Sequence, residues 1–274
     1  MLIKDPESAR WLIFLLSGAA AFAALALIHK FWPGILRKSS FRTFDLLVAA
    51  VAALFVGVHA TNLWHEREDV IVASFHRLYH DNWWAPAVRN TYWFGTPLLK
   101  CPLDLWIYQE ILHETKPDVI VETGTWQGGS AGFFASLFDL MGHGRVITID
   151  IKSFDPPQRE RVAYLVGSST SDEIIRQVKD SVQDGEKVMV VLDSDHSKEH
   201  VLNELRLYSE LVTPGCYLVV EDTHLNGRPV QFGDGDPAAA VEEFLASNSD
   251  FEADRSREKF GVSWNRGGWL KRVR

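Results

Sequence analysis

Cysteine is nearly missing: 274 residues hold two, Cys101 and Cys216, alongside three methionines. That scarcity argues against a disulfide framework and a cysteine-based zinc site, and it suits a reducing compartment. Positive charge is short as well. Lys and Arg number 28 against 36 Asp and Glu, for a net charge of −8. No basic stripe interrupts this acidity, so nucleic acid is a poor partner, since phosphate contacts need clustered cations. What the chain does have is 46% hydrophobic content, enough at this length for one large domain plus an appendage. Ten tryptophans are many. Such rings stack on sugar faces beside a cleft, though most serve a core or a membrane interface.

The appendage is the N-terminal third. Trp11–Ile28 carries no charge, and at 1.5 Å per residue it approaches the roughly 30 Å of a bilayer core. A signal peptide is the competing reading; acidic Asp5 and Glu7 and a second apolar run, Leu46–Val58, argue against it. Residues 1–64 therefore read as a membrane hairpin of one or two spanning helices, with Lys30, Arg37, Lys38 and Arg42 in the connector. Residues 65–101 follow as a link. Val70, Ile71, Phe75, Leu78 and Tyr79 recur at helical spacing, predicting an amphipathic helix over the domain or on the membrane. Trp83, Trp84, Tyr92, Trp93 and Phe94 then form an aromatic loop suited to covering a site.

Residues 102–274 alternate helical and strand patterns. Pro102–Lys116 reads as a helix with Pro at its start and Pro117 past its end. The organising stretch comes next, D-V-I-V-E-T-G-T-W-Q-G-G-S over Asp118–Ser130. It is a buried strand tipped by Glu122, a glycine turn (Gly124, Thr125, Gly128, Gly129) and a helix opening at Ser130. Strands are predicted over Arg145–Ile149, Val162–Val166, Lys187–Leu192 and Cys216–Val220, and Ser171 or Thr170 caps the helix after the third strand. Lys259–Trp264 and Gly268–Val273 read as two strands about N-R-G-G. The fold class is α/β, a doubly wound Rossmann-like sheet ending in an antiparallel hairpin.

Ligands of such sheets lie beyond the carboxyl ends of the strands. Glu122, Asp150, Asp193 and the pair Glu221-Asp222 all fall at predicted ends. Each alone reads as a helix cap or a solvated acid. Together on one rim they repel unless a cation or hydroxyl donor satisfies them. Asp150, roughly 20 residues past the glycine turn, stands where a ribose diol is held by a carboxylate.

Four strings, F-G-T-P-L-L-K-C-P-L-D-L-W-I-Y-Q-E-I-L, V-E-T-G-T-W-Q-G-G-S-A, V-V-L-D-S-D-H-S-K-E-H-V and Y-L-V-V-E-D-T, together resemble the cephalosporin hydroxylase family, whose relatives include rhamnosyl O-methyltransferases. The resemblance runs from about residue 90 to the C-terminus. It implies a class I S-adenosylmethionine-dependent methyltransferase sheet, with Glu122, Gly124, Thr125, Gly128, Gly129 and Ser130 lining the cofactor crevice. Asp150 would take the ribose hydroxyls, and Ser168 or Ser169 would lie near the adenine. A divalent cation, Mg2+, is implied at Asp193, Glu221 and Asp222, with Asp195 the alternative to Asp193. The chain departs from the common G-x-G-x-G turn, placing Trp126 and Gln127 in the loop.

An all-oxygen acidic set without His or Cys pairs suits magnesium or calcium over zinc. A general base must take the acceptor's proton; His196, His224 and Asp193 are the candidates. The expected acceptor is a hydroxyl of a sugar, a lipid-linked sugar or a secondary metabolite. A cytosolic cofactor places the catalytic domain in the cytoplasm, anchored to the membrane, and a homo-oligomer is allowed for. Two other readings differ in class. One is an iron and 2-oxoglutarate hydroxylase, with which the parallel-sheet pattern disagrees; the other is a non-catalytic, membrane-tethered binding protein.

Overall fold

The computed structural model describes residues 69–82, 91–231 and 235–274. The expected membrane hairpin at 1–64 and the tryptophans Trp83 and Trp84 lie outside the described residues. Among the described residues no helix is long and apolar enough to cross a membrane.

Residues 69–82 form the first described helix, α1. A two-stranded hairpin follows, β1 (Tyr92–Trp93) with β2 (Thr96–Pro97). Next come α2 (Pro102–Thr115), β3 (Val119–Thr123), α3 (Gly129–Met141), β4 (Arg145–Asp150), β5 (Val162–Val166) and α4 (Asp172–Ser181). The chain continues as β6 (Val188–Leu192), α5 (Lys198–Tyr208), β7 (Tyr217–Val220), α6 (Pro237–Ser247), β8 (Phe251–Ala253) and β9 (Trp269–Arg272). The large sheet has seven strands in the order β5-β4-β3-β6-β7-β9-β8. Pairings from β5 across to β7 are parallel, and β9 runs antiparallel between β7 and β8. Strand order reverses between β3 and β6, which opens a crevice at their carboxyl ends.

Period-two alternation feeds two cores. Val119 and Val121 face one side, where Ile174, Val178, Leu205, Tyr208 and Phe244 of α4, α5 and α6 pack. Ile120 faces the other, against Ile107, Ile111, Phe134 and Phe138 of α2 and α3. All five residues of β6 are buried, which is why it reads as an unbroken apolar run rather than an alternating one; β3 is buried throughout as well, with Glu122 and Thr123 as its last two residues. Helix ends follow their local chemistry. Pro102 opens α2, and left-handed Lys116 closes it by donating its N–H to the Leu112 carbonyl. Ser171 caps α4, and Asp236 caps α6 by accepting from the Ala239 N–H at 3.0 Å.

One expectation needs correction. Lys259–Trp264 is not a strand: β8 is the partner of β9, and residues 254–268 form a long connection with a short 3-10 turn at Arg255–Glu258. The reason lies in its backbone bonds. Trp264 donates its N–H to the Asp104 carboxylate at 2.8 Å, while its carbonyl accepts from the His224 N–H at 3.0 Å. These partners pull the segment over the end of β7 and out of any ladder. The helix expected from the spacing of Val70, Ile71, Phe75, Leu78 and Tyr79 is α1; there Val70, Ile71, Phe75 and Leu78 are exposed, whereas His76 and His80 are buried. The face α1 turns to the domain is therefore the imidazole face.

Candidate functional site

The glycine turn brings the tips of β3, β4 and β6 together. Gly124 has φ +92, and a Cβ placed on it would lie 1.9 Å from the Asp193 carbonyl oxygen. Only glycine fits there. Gly129 is equally constrained, its missing Cβ lying 2.0 Å from the Pro97 carbonyl oxygen, so the β1–β2 hairpin sits directly on the start of α3. Trp126 is held at φ +42 and donates its N–H to Asp150 Oδ2 at 2.8 Å. Asp150 is thereby aimed at the turn from the end of β4.

Glu122 stands behind this wall. It is fully buried, accepts from the Thr148 hydroxyl at 2.7 Å, and leaves Oε1 without a hydrogen-bond partner. Burial raises its pKa against the opposing pull of Lys100. Thr125 and Thr148 share a 2.7 Å hydroxyl bond in the same buried cluster. Ser169 reaches His200 at 3.2 Å, and Ser168 reaches Thr170 at 3.1 Å.

Across the crevice lies a carboxylate cluster built from the ends of β6 and β7. Lys100 Nζ donates to Asp193 Oδ2 at 2.8 Å and to Glu221 Oε1 at 2.9 Å, and the Tyr108 hydroxyl donates to the same Glu221 oxygen. His196 Nε2 lies 3.2 Å from Asp222 Oδ2 and 3.5 Å from Asp193 Oδ1. Ligand-capable atoms of Asp193, His196 and Asp222 all fall within 4.8 Å of one another, the one such set of three among the described residues. Asp195 is not in it. That residue is exposed, and its carboxylate accepts from the Ser197 N–H at 2.7 Å at the entry to α5. Asp222 is strained, with φ +58 in the left-handed region.

Charges in the cluster are mutually adjusted. Burial would lift Asp193, but Lys100 and His196 outweigh it and hold its carboxyl below the usual range. Burial dominates at Glu221, whose pKa is raised despite Lys100, and it pushes Asp222 up to about 6. His196 is the converse: burial lowers it, yet Asp222 and Asp193 raise it to about 9. His224 differs from His196 in kind. Its Nδ1 is 3.1 Å from the Trp264 carbonyl, its Nε2 has no partner, and burial and His76 push it down to about 3. An imidazole that resists protonation so strongly is a hydrogen-bond acceptor and a weak base.

One cavity of about 610 Å³ joins the two halves. Its lining includes Gly124, Thr125, Gly129, Ser130, Asp150, Ser168 and Ser169 on one side and Asp193, Asp195, His196, Asp222 and His224 on the other. Glu122, Gly128 and Glu221 stay behind the lining. Sequence reasoning missed Lys100, which lies just ahead of the extended Cys101 cap of α2 and carries no local signal of its role. It also missed His80 and Trp264, which line the cavity beside His224, and Ile151 and Phe154 beyond Asp150.

His76 closes the histidine stack. Its ring lies 5.1 Å from that of His224, and neither of its nitrogens has a hydrogen-bond partner. Burial, then Arg266 and His80, lower its pKa from 6.5 to about 4. The unfolded chain thus binds a proton between pH 6.5 and 4 that the folded one refuses. Stability from this group is complete above pH 6.5 and is lost as pH falls towards 4, on the order of 3 kcal/mol at 1.4 kcal/mol per pKa unit. Urea denaturation across that window should show the loss, and His76→Phe should make it shallower, the remainder belonging to His224, whose pKa is lowered in the same direction; equal slopes in both proteins would remove His76 as a contributor.

Comparison with known proteins places these features in a family context. The family described as Rhamnosyl O-methyltransferase/CmcI matches residues 86–273. A Rhamnosyl O-methyltransferase of Mycobacterium leprae (strain TN) is 39% identical over 214 residues, covering 74% of this chain and 91% of that protein. Among solved structures, unliganded CmcI superimposes with a TM-score of 0.54 at 23% identity, over 68% of this chain and 77% of its own. CmcI solved with magnesium and S-adenosylmethionine gives 0.53 at 22% identity, over 70% and 84%. The shared fold is the Rossmann-like α/β sheet of methyltransferases with a mixed edge.

Proposed function

This chain belongs to the Rhamnosyl O-methyltransferase/CmcI family, and from that premise we propose that it transfers the methyl group of S-adenosylmethionine to a sugar hydroxyl with the help of Mg2+. The observation that carries the reading is the single cavity, which puts the Asp150 rim and the Asp193–Asp222 cluster in one space of about 610 Å³. That size lies within the range of small-molecule sites. The residues fit both groups. Glu122 Oε1, buried and unpartnered, stands behind the glycine turn as a spare acceptor, and the all-oxygen carboxylate set beside one imidazole suits a hard cation.

In this reading Gly124, Thr125, Gly129, Ser130 and Asp150 hold the cofactor, with Asp150 on its ribose and Ser168 and Ser169 towards its adenine; Glu122 and Gly128 shape the turn from behind. S-adenosylmethionine supplies the electrophilic methyl sulfonium. Asp193 and Asp222 hold the cation, with Glu221 behind them and Asp195 outside. A magnesium ion there would polarise the acceptor hydroxyl and relieve the pull of both carboxylates on the imidazole. His196, facing both carboxylates and the cavity, takes the acceptor's proton at Nε2. His224 and Trp264, stacked on each other at 5.2 Å, wall the acceptor side of the cavity and give it an aromatic surface suited to a sugar ring. The name of the M. leprae relative supports a rhamnosyl-type acceptor. The uncharged runs Trp11–Ile28 and Leu46–Val58 support a membrane-anchored protein, and the need for a cytosolic cofactor, set against the cations of the connector, puts its catalytic part, residues 102–274, on the cytoplasmic side. An acceptor carried on a lipid suits that placement.

The test is transfer of labelled methyl from S-adenosylmethionine to a rhamnosylated lipid extract, with calorimetric titration of the cofactor alongside. Asp150→Ala is expected to weaken cofactor binding by about a hundredfold, equivalent to two lost charge-assisted hydrogen bonds at about 1.5 kcal/mol each. A wild-type protein that gives no heat with S-adenosylmethionine and labels no acceptor ends this reading.

A further inference from the structure

Lys100 has no place in the proposed chemistry, yet few side chains in the described residues are as deeply committed to it. It is 1% exposed, and its ammonium bridges Asp193 Oδ2 and Glu221 Oε1 at 2.8 and 2.9 Å. A buried ammonium is costly unless paired, so this residue is present for the carboxylates. Its neighbours on the same stretch serve the same loop. Asp104 accepts the Trp264 N–H at 2.8 Å, and Tyr108 donates to Glu221. Between them these three residues fix Asp193, Glu221 and the 263–265 segment. The bridge uses one oxygen of Asp193 and leaves Oδ1, the atom 3.5 Å from His196 Nε2, facing Asp222. The charge count is equally pointed. Asp193, Glu221 and Asp222 contribute three negative charges when ionised, and Lys100 returns one positive charge. With His196 neutral, the state that a bound cation would favour, the cluster carries −2, the complement of a divalent cation.

We infer that Lys100 is the built-in counter-cation of the carboxylate cluster, a positioning residue that turns Asp193 Oδ1 towards the cation site and sets how strongly that site attracts a divalent ion. The inference rests on the metal-dependent reading above. It makes an unusual demand: removing Lys100 should tighten metal binding. A purely structural lysine would, on removal, loosen the site.

The experiment is a Mn2+ titration of the full chain at pH 8.5, followed by electron paramagnetic resonance, for wild type and Lys100→Met. Methionine fills the same space without the charge. Loss of one positive charge in direct contact with two of the carboxylates should tighten Mn2+ binding by about tenfold or more even after partial proton uptake by the carboxylates. Cofactor titration serves as the folding control. Should Lys100→Met unfold in metal-free buffer, Mn2+ must restore its circular dichroism spectrum, because the ion then takes over the missing charge. Affinity equal to or weaker than wild type in a folded variant overturns the inference, as does a variant that stays unfolded in millimolar Mn2+. Wild type that binds no Mn2+ overturns the metal-dependent reading itself, and this inference with it.

Discussion

Asp193→Asn is expected to cut methyl transfer by about a thousandfold while leaving the fold and cofactor affinity unchanged. The substitution keeps size and shape, so β6 and its carboxyl end are undisturbed; the Asp193 N–H still reaches the Thr123 carbonyl at 3.0 Å. What changes is the pattern of donors. Lys100 Nζ, 2.8 Å from Oδ2, can face only an acceptor, so the amide must turn its oxygen to Lys100. Its NH2 group then points at Asp222 and His196, where a carboxylate oxygen stood. A donor aimed into a cation site both removes a ligand and repels the ion. Loss of that electrostatic help forfeits several kcal/mol in the transition state, and 1.4 kcal/mol is a factor of ten in rate. Single-turnover transfer of labelled methyl measures the loss, and calorimetry with S-adenosylmethionine checks the other half of the cavity. A variant that keeps more than a tenth of wild-type turnover would remove Asp193 from the chemistry.

The rim on which this rests was largely legible in the sequence. Apolar runs closed by an acid mark β3, β4, β6 and β7: Asp150, Asp193 and Glu221 stand where the strands leave the sheet, whereas Glu122 sits one residue inside β3, level with Thr148 and Val191. The site's supports were harder to read. Lys100 looks like a surface charge beside a proline, and nothing local says that β6 and β7 bring two carboxylates to it. The 259–264 segment has strand-like alternation, yet Asp104, far away in sequence, captures the Trp264 N–H and takes it out of the sheet. In α1 the apolar stripe left open whether it covers the domain or a membrane, and His76 and His80 are the residues that pack inward. The cause is the same in each case. A partner distant in sequence, a carboxylate for Lys100 and Trp264 and the His224 ring for His76, overrides the local pattern, and periodicity carries no information about such partners.

Gly124→Ala should have the second large effect, and for a reason that ties both halves of the cavity together. The turn residue is where the cofactor side and the carboxylate side touch: a Cβ on it would lie 1.9 Å from the Asp193 carbonyl oxygen and 2.6 Å from the Asp193 carbonyl carbon. Neither neighbour is a flexible side-chain tip that could swing aside. Its φ of +92 adds strain for any residue with a Cβ. Overpacking plus backbone strain should cost about 3 kcal/mol of stability. The larger consequence is positional, because β3 and β6 can relieve the clash only by separating at their carboxyl ends. That movement carries the 124–126 turn away from Asp150 on one side and Asp193 away from Asp222 on the other. Cofactor and Mn2+ affinities should therefore fall together, each by about tenfold or more, since 1.4 kcal/mol of lost contact suffices for that factor. Asp150→Ala and Asp193→Asn, by contrast, each strike one side. Parallel calorimetric and spin-resonance titrations of the three variants separate the cases. A Gly124→Ala protein that loses one ligand and keeps the other at wild-type affinity would show that the two halves are not mechanically joined at this glycine.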